Sequence, residues 1–397
     1  METLLTLPYK KSIIMNNFSF YNPVKIIFGK DTISKLSKEL PVKSTVMIIY
    51  GGGSIKKNGV YDQVVNALKN HKYVEFSGIE PNPHYETCVK CAEFIRRENV
   101  NFVLAVGGGS VIDATKFIVA AAMYDGDPWD FITGQSKIDI ALPFGTVLTL
   151  PATGSEMNSG AVITKASTQE KYSFNSPLVF PKFSILDPTT TFSLPHKQIA
   201  NGIIDTFVHV MEQYLTYDVN AKLQDYFAES IIKVLIEEGS QVFDNPNDYD
   251  IRANLMWAST WGLNGWIAKG SVEDWSTHMI GHELTALNDI DHGQTLAIVL
   301  PGVMDVMRED KKDKILQLGE RVFGINKGST NERIDDTIKE VDDFFQSLGI
   351  KTRLSDYNVG KDTIDVIVKR FQDRNWALGE RQNITPEVVR EILIKRL

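Results

Sequence analysis

Of the seven histidines in this 397-residue chain, four fall in two short stretches. In ANGIIDTFVHVMEQY, Asp205 and His209 stand four residues apart; in DWSTHMIGHELTALNDIDHGQ, His278 and His282 repeat that interval, and His292 follows a break at Asn288-Asp289. Residues i and i+4 share one helix face, so each pair presents two ligand atoms in one direction. A carboxylate with several neutral imidazoles suits Zn²⁺ or Fe²⁺, and the lack of thiolate argues against a structural cysteine-type zinc. A single such pair is more often a hydrogen-bonded pair on a helix surface. Clustering in a histidine-poor chain is what favours a metal. The spacing does not choose between His278 and His282, and Glu212 and Glu283 stand close enough to be alternatives.

A second chemistry is written in glycine. Gly51-Gly52-Gly53-Ser54 follows the apolar run TVMIIY, and Gly107-Gly108-Gly109-Ser110 follows FVLAV. Glycine lets a phosphate approach the backbone, and a helix beginning there offers free N–H groups and its positive dipole end. The second turn is the stronger pyrophosphate site, because SVIDATKF opens a helix at once with Ser110 near its N-cap. Neither turn has the G-x-G-x-x-G spacing of the usual dinucleotide fingerprint. An NAD-selective site commonly carries an acid for the ribose 2′-hydroxyl. The first turn carries none, and Ser54, Lys56 and Lys57 follow it. That combination suits a 2′-phosphate, so the expected cofactor is NADP(H).

These residues need elements to hold them. VKIIFG, STVMIIYG, FVLAVGGG, GTVLTLP and AVITKAS read as strands, with DTISKLSKEL, YDQVVNALKN, YETCVKCAEFIRREN and SVIDATKFIVAAAMY as helices between them. Strand–helix alternation predicts an α/β, Rossmann-like domain with a mostly parallel sheet. From His196 onward the pattern is helix after helix, which predicts an all-α second domain and a ligand cleft between the two. The expected boundaries are a leader at 1–14, a dinucleotide-binding domain at 15–195 and a helical metal-binding domain at 196–397.

Composition narrows the partners. A net charge of −8 and a pI near 5.5 argue against nucleic acid. The most apolar stretch, Phe102 to Tyr124, contains Asp113 and Lys116 and does not read as a membrane span. Cys88 and Cys91 are spaced C-x-x-C inside a helical run, without a second pair to complete a zinc site. That usage fits a reducing cytoplasm rather than a redox or zinc motif.

The motifs YGGGSIKKNGVYDQV, GIEPNPHYET, LAVGGGSVIDATKF, LTLPATGSEMN, ILDP, ANGIIDTFVHVMEQY and THMIGHELTALNDIDHGQTLAIVLP together resemble the iron-containing (group III) alcohol dehydrogenases. Within that family they look most like the branch of NADP-dependent butanol dehydrogenases and broad aldehyde reductases. The likeness runs over nearly the whole chain from about Asn16. It implies that Asp205, His209, His278 and His292 bind one divalent metal, Fe²⁺ or Zn²⁺, and that His282 is a catalytic non-ligand near the nicotinamide. It also implies that both glycine turns, with Asp113, Thr149, Thr153 and Asn158, line the cofactor cleft, that Lys171 reaches the ribose, and that the protein is a homodimer.

The implied reaction is hydride transfer between NADPH and a small aldehyde, with the metal polarising the carbonyl. Glycerol dehydrogenases and dehydroquinate synthases are rivals of the same architecture, and a non-catalytic nucleotide- or metal-binding module is a rival of another class. No Lys or Arg stands in the metal segments, which favours a weakly polar substrate. Trp257, Trp261, Trp266 and Trp275 are pocket candidates, though aromatics at helical spacing are more often core.

Overall fold

Three apolar runs make the centre of a sheet because they are covered on both faces. They are strands β2 (Thr45–Tyr50), β4 (Phe102–Gly108) and β5 (Phe144–Leu150). They are joined by β1 (Lys25–Phe28), β3 (Lys72–Phe76) and β8 (Phe183–Leu186) in the order β1-β8-β5-β4-β2-β3, with every pairing parallel. The computed structural model describes residues 14–397, so nearly all of the expected leader lies outside the described residues.

Strand alternation sorts the side chains. Met47, Ile49, Val103 and Ala105 pack on helices α2 (Tyr85–Glu98) and α3 (Gly109–Ala121). Val46, Ile48, Leu104 and Val106 pack on the opposite face against α1 (Val60–Ala67). Chain direction across the sheet diverges between β2 and β4, which are neighbours: β2 leads out to β3, and β4 leads the other way to β5. In open parallel sheets the crevice beyond the carboxyl ends at such a switch point is the ligand site. Both glycine turns open there.

One expected strand falls elsewhere. AVITKAS contributes β6 (Gly160–Lys165), which pairs antiparallel with β7 (Glu170–Asn175) as a hairpin outside the main sheet. The strand pattern of EKYSFN is mostly polar and half-exposed, so periodicity had marked nothing there. This hairpin carries Lys171.

Beyond Leu186 the described residues contain helices and one isolated bridge, Leu378 with Ile384. The helices of eight or more residues are α4 (His196–Tyr214), α5 (Lys222–Gly239), α6 (Tyr249–Gly262), α7 (Ser276–Asn288), α8 (His292–Val306), α9 (Lys312–Arg321), α10 (Thr330–Ser347), α11 (Lys361–Asp373) and α12 (Pro386–Ile394). Helix α4 is buried almost all round, with Ala200, Ile204, Phe207, Val208 and Met211 in the main helical core. A helix apolar on every side belongs at the centre of a bundle. Its polar residues are therefore conspicuous. No described helix is long and apolar enough to cross a membrane.

Candidate metal centre and cofactor cleft

Asp205, His209 and Glu212 project from one side of the buried helix α4. Helix α7 supplies His278 and His282, and α8 begins at His292 after Asp289 turns the chain in the left-handed region (φ 54°). Three imidazole nitrogens surround one oxygen, Asp205 Oδ1: His209 Nδ1 at 3.6 Å, His278 Nε2 at 3.7 Å and His292 Nε2 at 3.6 Å. These gaps are too long for hydrogen bonds, and two ligands on a tetrahedral ion at bonds of about 2.1 Å stand roughly 3.4 Å apart. Asp205 Oδ1, His209 Nδ1 and His278 Nε2 are all buried without a protein partner. Buried polar atoms are almost always bonded, so three orphans in one place fit a cation.

The atoms that lie mutually within 4.8 Å belong to Asp205, His278 and His292. His209 stands beside that trio, its ring stacked on His278 at 4.5 Å. His282 lies outside it, 6.0 Å from His278 and 5.2 Å from His292 between ring centroids. Geometry thus separates two histidines that spacing had left equivalent.

The electrostatics agree. Burial alone would raise the Asp205 carboxyl, but His209, His278 and Lys171 hold it below the ordinary range. Burial lowers His209 to about 4 and pushes His282 and His292 well below the normal imidazole value, Lys171 adding to the last two shifts. Burial opposes a charge on His278 as well, yet Glu212 and Asp205 raise it to about 9. The cluster favours one positive charge beside its carboxylates while keeping three imidazoles neutral, with lone pairs available.

The glycine turns are built differently from each other. A Cβ on Gly109 would meet the Thr153 side chain at 2.5 Å, and one on Gly108 would meet Leu150 at 2.9 Å, so the second turn is glycine because β5 and its loop press against it. At Gly52 nothing lies within 4 Å, and the residue is exposed. Thr149 and Thr153 lie at the end of β5 and in the loop after it, opposite the start of α3. That loop is fastened to the metal helix: Thr206 Oγ1 donates to Ala152 O at 3.0 Å, and a Cβ on Gly202 would meet Pro151 O at 2.5 Å.

Several expected cofactor contacts turn out to be engaged within the protein. Asn158 Oδ1 accepts from Lys116 Nζ (2.7 Å) and Gly160 N (3.0 Å), while its Nδ2 donates to Gly154 O (3.1 Å) and Leu263 O (2.9 Å). Its amide is saturated within the protein, so Asn158 braces the loop expected to line the cofactor cleft. Asp113 accepts from Ser155 Oγ at 2.5 Å and Val162 N at 2.9 Å, tying α3 to the hairpin. Lys171 Nζ donates to Asn82 Oδ1 at 2.9 Å. Burial lowers its pKa to about 8, and the charges of Asp205 and Asp113 oppose that fall. The metal segments themselves hold no Lys or Arg, and this lysine, whose charge helps hold Asp205 ionised, comes from β7.

Beside the first turn stands an acid that strand-end inspection overlooked. Glu75 follows Gly53 by 22 residues at the end of the next strand, the place where a ribose-binding acid is often found. Its carboxylate accepts from Tyr50 Oη (2.9 Å), from Tyr61 Oη and from Lys56 Nζ (3.2 Å). Lys56 is thereby neutralised, leaving Ser54 and Lys57 exposed at the turn. Of the four tryptophans, Trp275 flanks His278 at 5.4 Å and His209 at 6.1 Å. Trp257 and Trp261 meet edge to face, and Trp266 packs on Phe20.

Comparison with known proteins gives the same reading of the whole chain. Residues 23–188 match the family described as iron-containing alcohol dehydrogenase, and residues 199–397 match the C-terminal part of the Fe-containing alcohol dehydrogenase family. The chain is 50% identical over 382 residues to the NADPH-dependent aldehyde reductase YqhD of Escherichia coli, covering 95% of this chain and 99% of that protein. It is 41% identical to NADH-dependent butanol dehydrogenase A of Clostridium acetobutylicum, covering 96% and 100%. The crystal structure of Escherichia coli YqhD superposes with a TM-score of 0.95 at 49% identity, over 97% of this chain and 100% of that one. The chain belongs to the iron-containing alcohol dehydrogenase family.

Proposed function

We propose that the protein is a metal-dependent, NADP(H)-linked alcohol dehydrogenase that reduces short- to medium-chain aldehydes and, in reverse, oxidises primary alcohols such as butanol. The observation that carries this reading is the ring of imidazole nitrogens around Asp205 Oδ1. The relatives support it: one is named an NADPH-dependent aldehyde reductase, and others are named butanol dehydrogenases using NADH. The preference for NADPH rests on the open edge at Gly52, with Ser54 and Lys57 beside it and the acid of the next strand, Glu75, already bonded.

Asp205, His209, His278 and His292 would hold one divalent ion, Fe²⁺ or Zn²⁺, and the two glycine turns with Thr149 and Thr153 would hold the dinucleotide. When bound, these groups supply an electrophile for the carbonyl oxygen and a hydride for its carbon. His282 has no protein hydrogen-bond partner among the described residues and is kept neutral by burial. In this reading it would exchange a proton with the substrate oxygen. Lys171 would meet the cofactor ribose, and Asp113, Asn158 and Lys116 keep the loop under it in place. Trp275, beside two of the ligands, makes the adjoining wall apolar, as a small uncharged aldehyde requires. The cofactor domain would extend from residue 15 to 195 and the metal domain from 196 to 397.

Two finer assignments accompany this. A homodimer is supported by β1, an edge strand, and by exposed Phe18, Phe20, Tyr21, Phe28 and Trp257 around it; light scattering should then give twice 44.6 kDa. A cytoplasmic location is supported by two buried, unpaired cysteines. The central test is NADPH absorbance with butyraldehyde, with and without a chelator. Chelator-sensitive loss of absorbance is expected, and none across a short series of aldehydes would overturn the proposed reaction.

A further inference from the structure

One buried carboxylate beside the cluster has no role in the mechanism above. Glu212 lies on α4, 3% exposed, and both of its oxygens point at one residue of another helix. Oε1 accepts the backbone N–H of His278 at 2.9 Å, and Oε2 lies against His278 Nδ1. His278 is the third residue of α7, whose own N-cap, Trp275, offers no side-chain acceptor. The first N–H groups of a helix need acceptors from outside it. Glu212 thus caps α7 from a neighbouring helix with one oxygen and grips the imidazole with the other.

We propose that Glu212 is the positioning residue that makes His278, and not His282, a metal ligand. The inference rests on the metal-site reading given above. With Oε1 occupied by the His278 N–H, Oε2 lies against Nδ1 as the acceptor for a proton there, so a neutral His278 held in this way carries its proton on Nδ1. Nε2, the nitrogen 3.7 Å from Asp205 Oδ1, then carries the free lone pair. Such carboxylate–histidine–metal arrangements fix the tautomer and the ring plane and increase ligand basicity. His282, one helical turn further on, has no comparable partner among the described residues.

The grip is itself braced. The Glu212 backbone carbonyl accepts Asp274 N–H at 2.8 Å, and Asp274 Oδ1 accepts Ser276 N–H at 2.9 Å. Asp274 Oδ2 accepts from the buried Lys311 Nζ at 2.5 Å, which also donates to Leu215 O at 2.7 Å. The turn entering α7 and the end of α4 are therefore locked together, and the carboxylate reaches His278 without freedom to drift.

Glu212→Gln is the informative change, since glutamine keeps the shape but has one acceptor and one donor. It can cap the helix or accept from Nδ1–H, and its N–H₂ then faces the other group. Where that N–H₂ meets Nδ1, the imidazole proton is driven to Nε2 and the ligand is lost. The expected result is a Co²⁺ or Zn²⁺ affinity weakened by about 10- to 100-fold in chelator competition, with circular dichroism and NADPH binding by the metal-free protein retained. The visible spectrum of the Co²⁺-loaded variant should change as well. Wild-type affinity and an unaltered Co²⁺ spectrum in Glu212→Gln would overturn the proposal alone. A wild-type protein that binds no Co²⁺ or Zn²⁺ at all would overturn the metal-site reading with it. Should the variant not fold, proton NMR of the Co²⁺-loaded wild type decides the matter. A slowly exchanging, hyperfine-shifted His278 Nδ1–H supports the assignment, and its absence, as when Glu212 itself is a ligand, refutes it.

Discussion

Two alanine substitutions separate a glycine that packs from a glycine that makes room. In Gly109→Ala the new methyl would lie 2.5 Å from both Thr153 Cγ2 and Oγ1. Ordinary contact begins near 3.4 Å, so Thr153 must retreat by about 3.4 − 2.5, or roughly 0.9 Å, into a loop that Thr206 holds from the other side. Overpacking of this kind costs about 1–3 kcal/mol, which over 397 residues lowers the melting temperature by roughly 1–4 °C. In Gly52→Ala the methyl meets nothing within 4 Å and the backbone is not left-handed. The metal-free, cofactor-free protein should then keep its stability or gain a few tenths of a kcal/mol. If the first turn holds the adenosine ribose and its 2′-phosphate, the same methyl occupies cofactor space. An overlap of about 1–3 kcal/mol raises the NADPH dissociation constant by about 5- to 150-fold. Urea unfolding and fluorescence titration of both variants measure the two effects. Wild-type NADPH affinity in Gly52→Ala would remove the first turn from the cofactor site, and a loss of stability there equal to that of Gly109→Ala would refute the packing argument.

The other expectations concern the metal, the proton and one buried lysine. His278→Ala should empty the metal site, and full occupancy by elemental analysis would reverse its assignment. His282→Ala should lower kcat while metal content stays intact; metal loss instead would make His282 a ligand. Lys116 is fully buried, and burial lowers its pKa from 10.5 to about 8 despite Asp113 and Glu156. The folded state therefore gives up the proton first, and between about pH 8 and 10.5 the unfolded chain binds more protons, so stability rises with pH in that window. The unfavourable contribution is fully present below pH 8 and is relieved above it. From pH 7.5 to 9.5 the wild type should gain about 2 kcal/mol relative to Lys116→Met in urea unfolding, and parallel pH dependences would contradict the assigned shift.

Much of this protein was legible before any coordinates. Strand and helix periods, the two glycine turns after apolar runs, and histidines in a histidine-poor chain are local signals, and each is set within a few residues by backbone sterics and side-chain spacing. They gave the α/β-then-helical layout and the chemistry of a metal beside a dinucleotide. What stayed open was every question about direction across space. His278 and His282 have the same interval and the same helix face, and only the packing of α4 against α7 brings Glu212 to one of them. Glu75 reaches the first turn from the adjacent strand, Lys171 comes from a hairpin with no apolar pattern, and Asn158 spends its amide on four protein groups. Sequence determines which groups are present and how each segment is wound. Which atoms meet is decided by helices and strands crossing at separations such as 66 residues for Glu212 and His278 or 105 for Asn158 and Leu263, where no local period reaches.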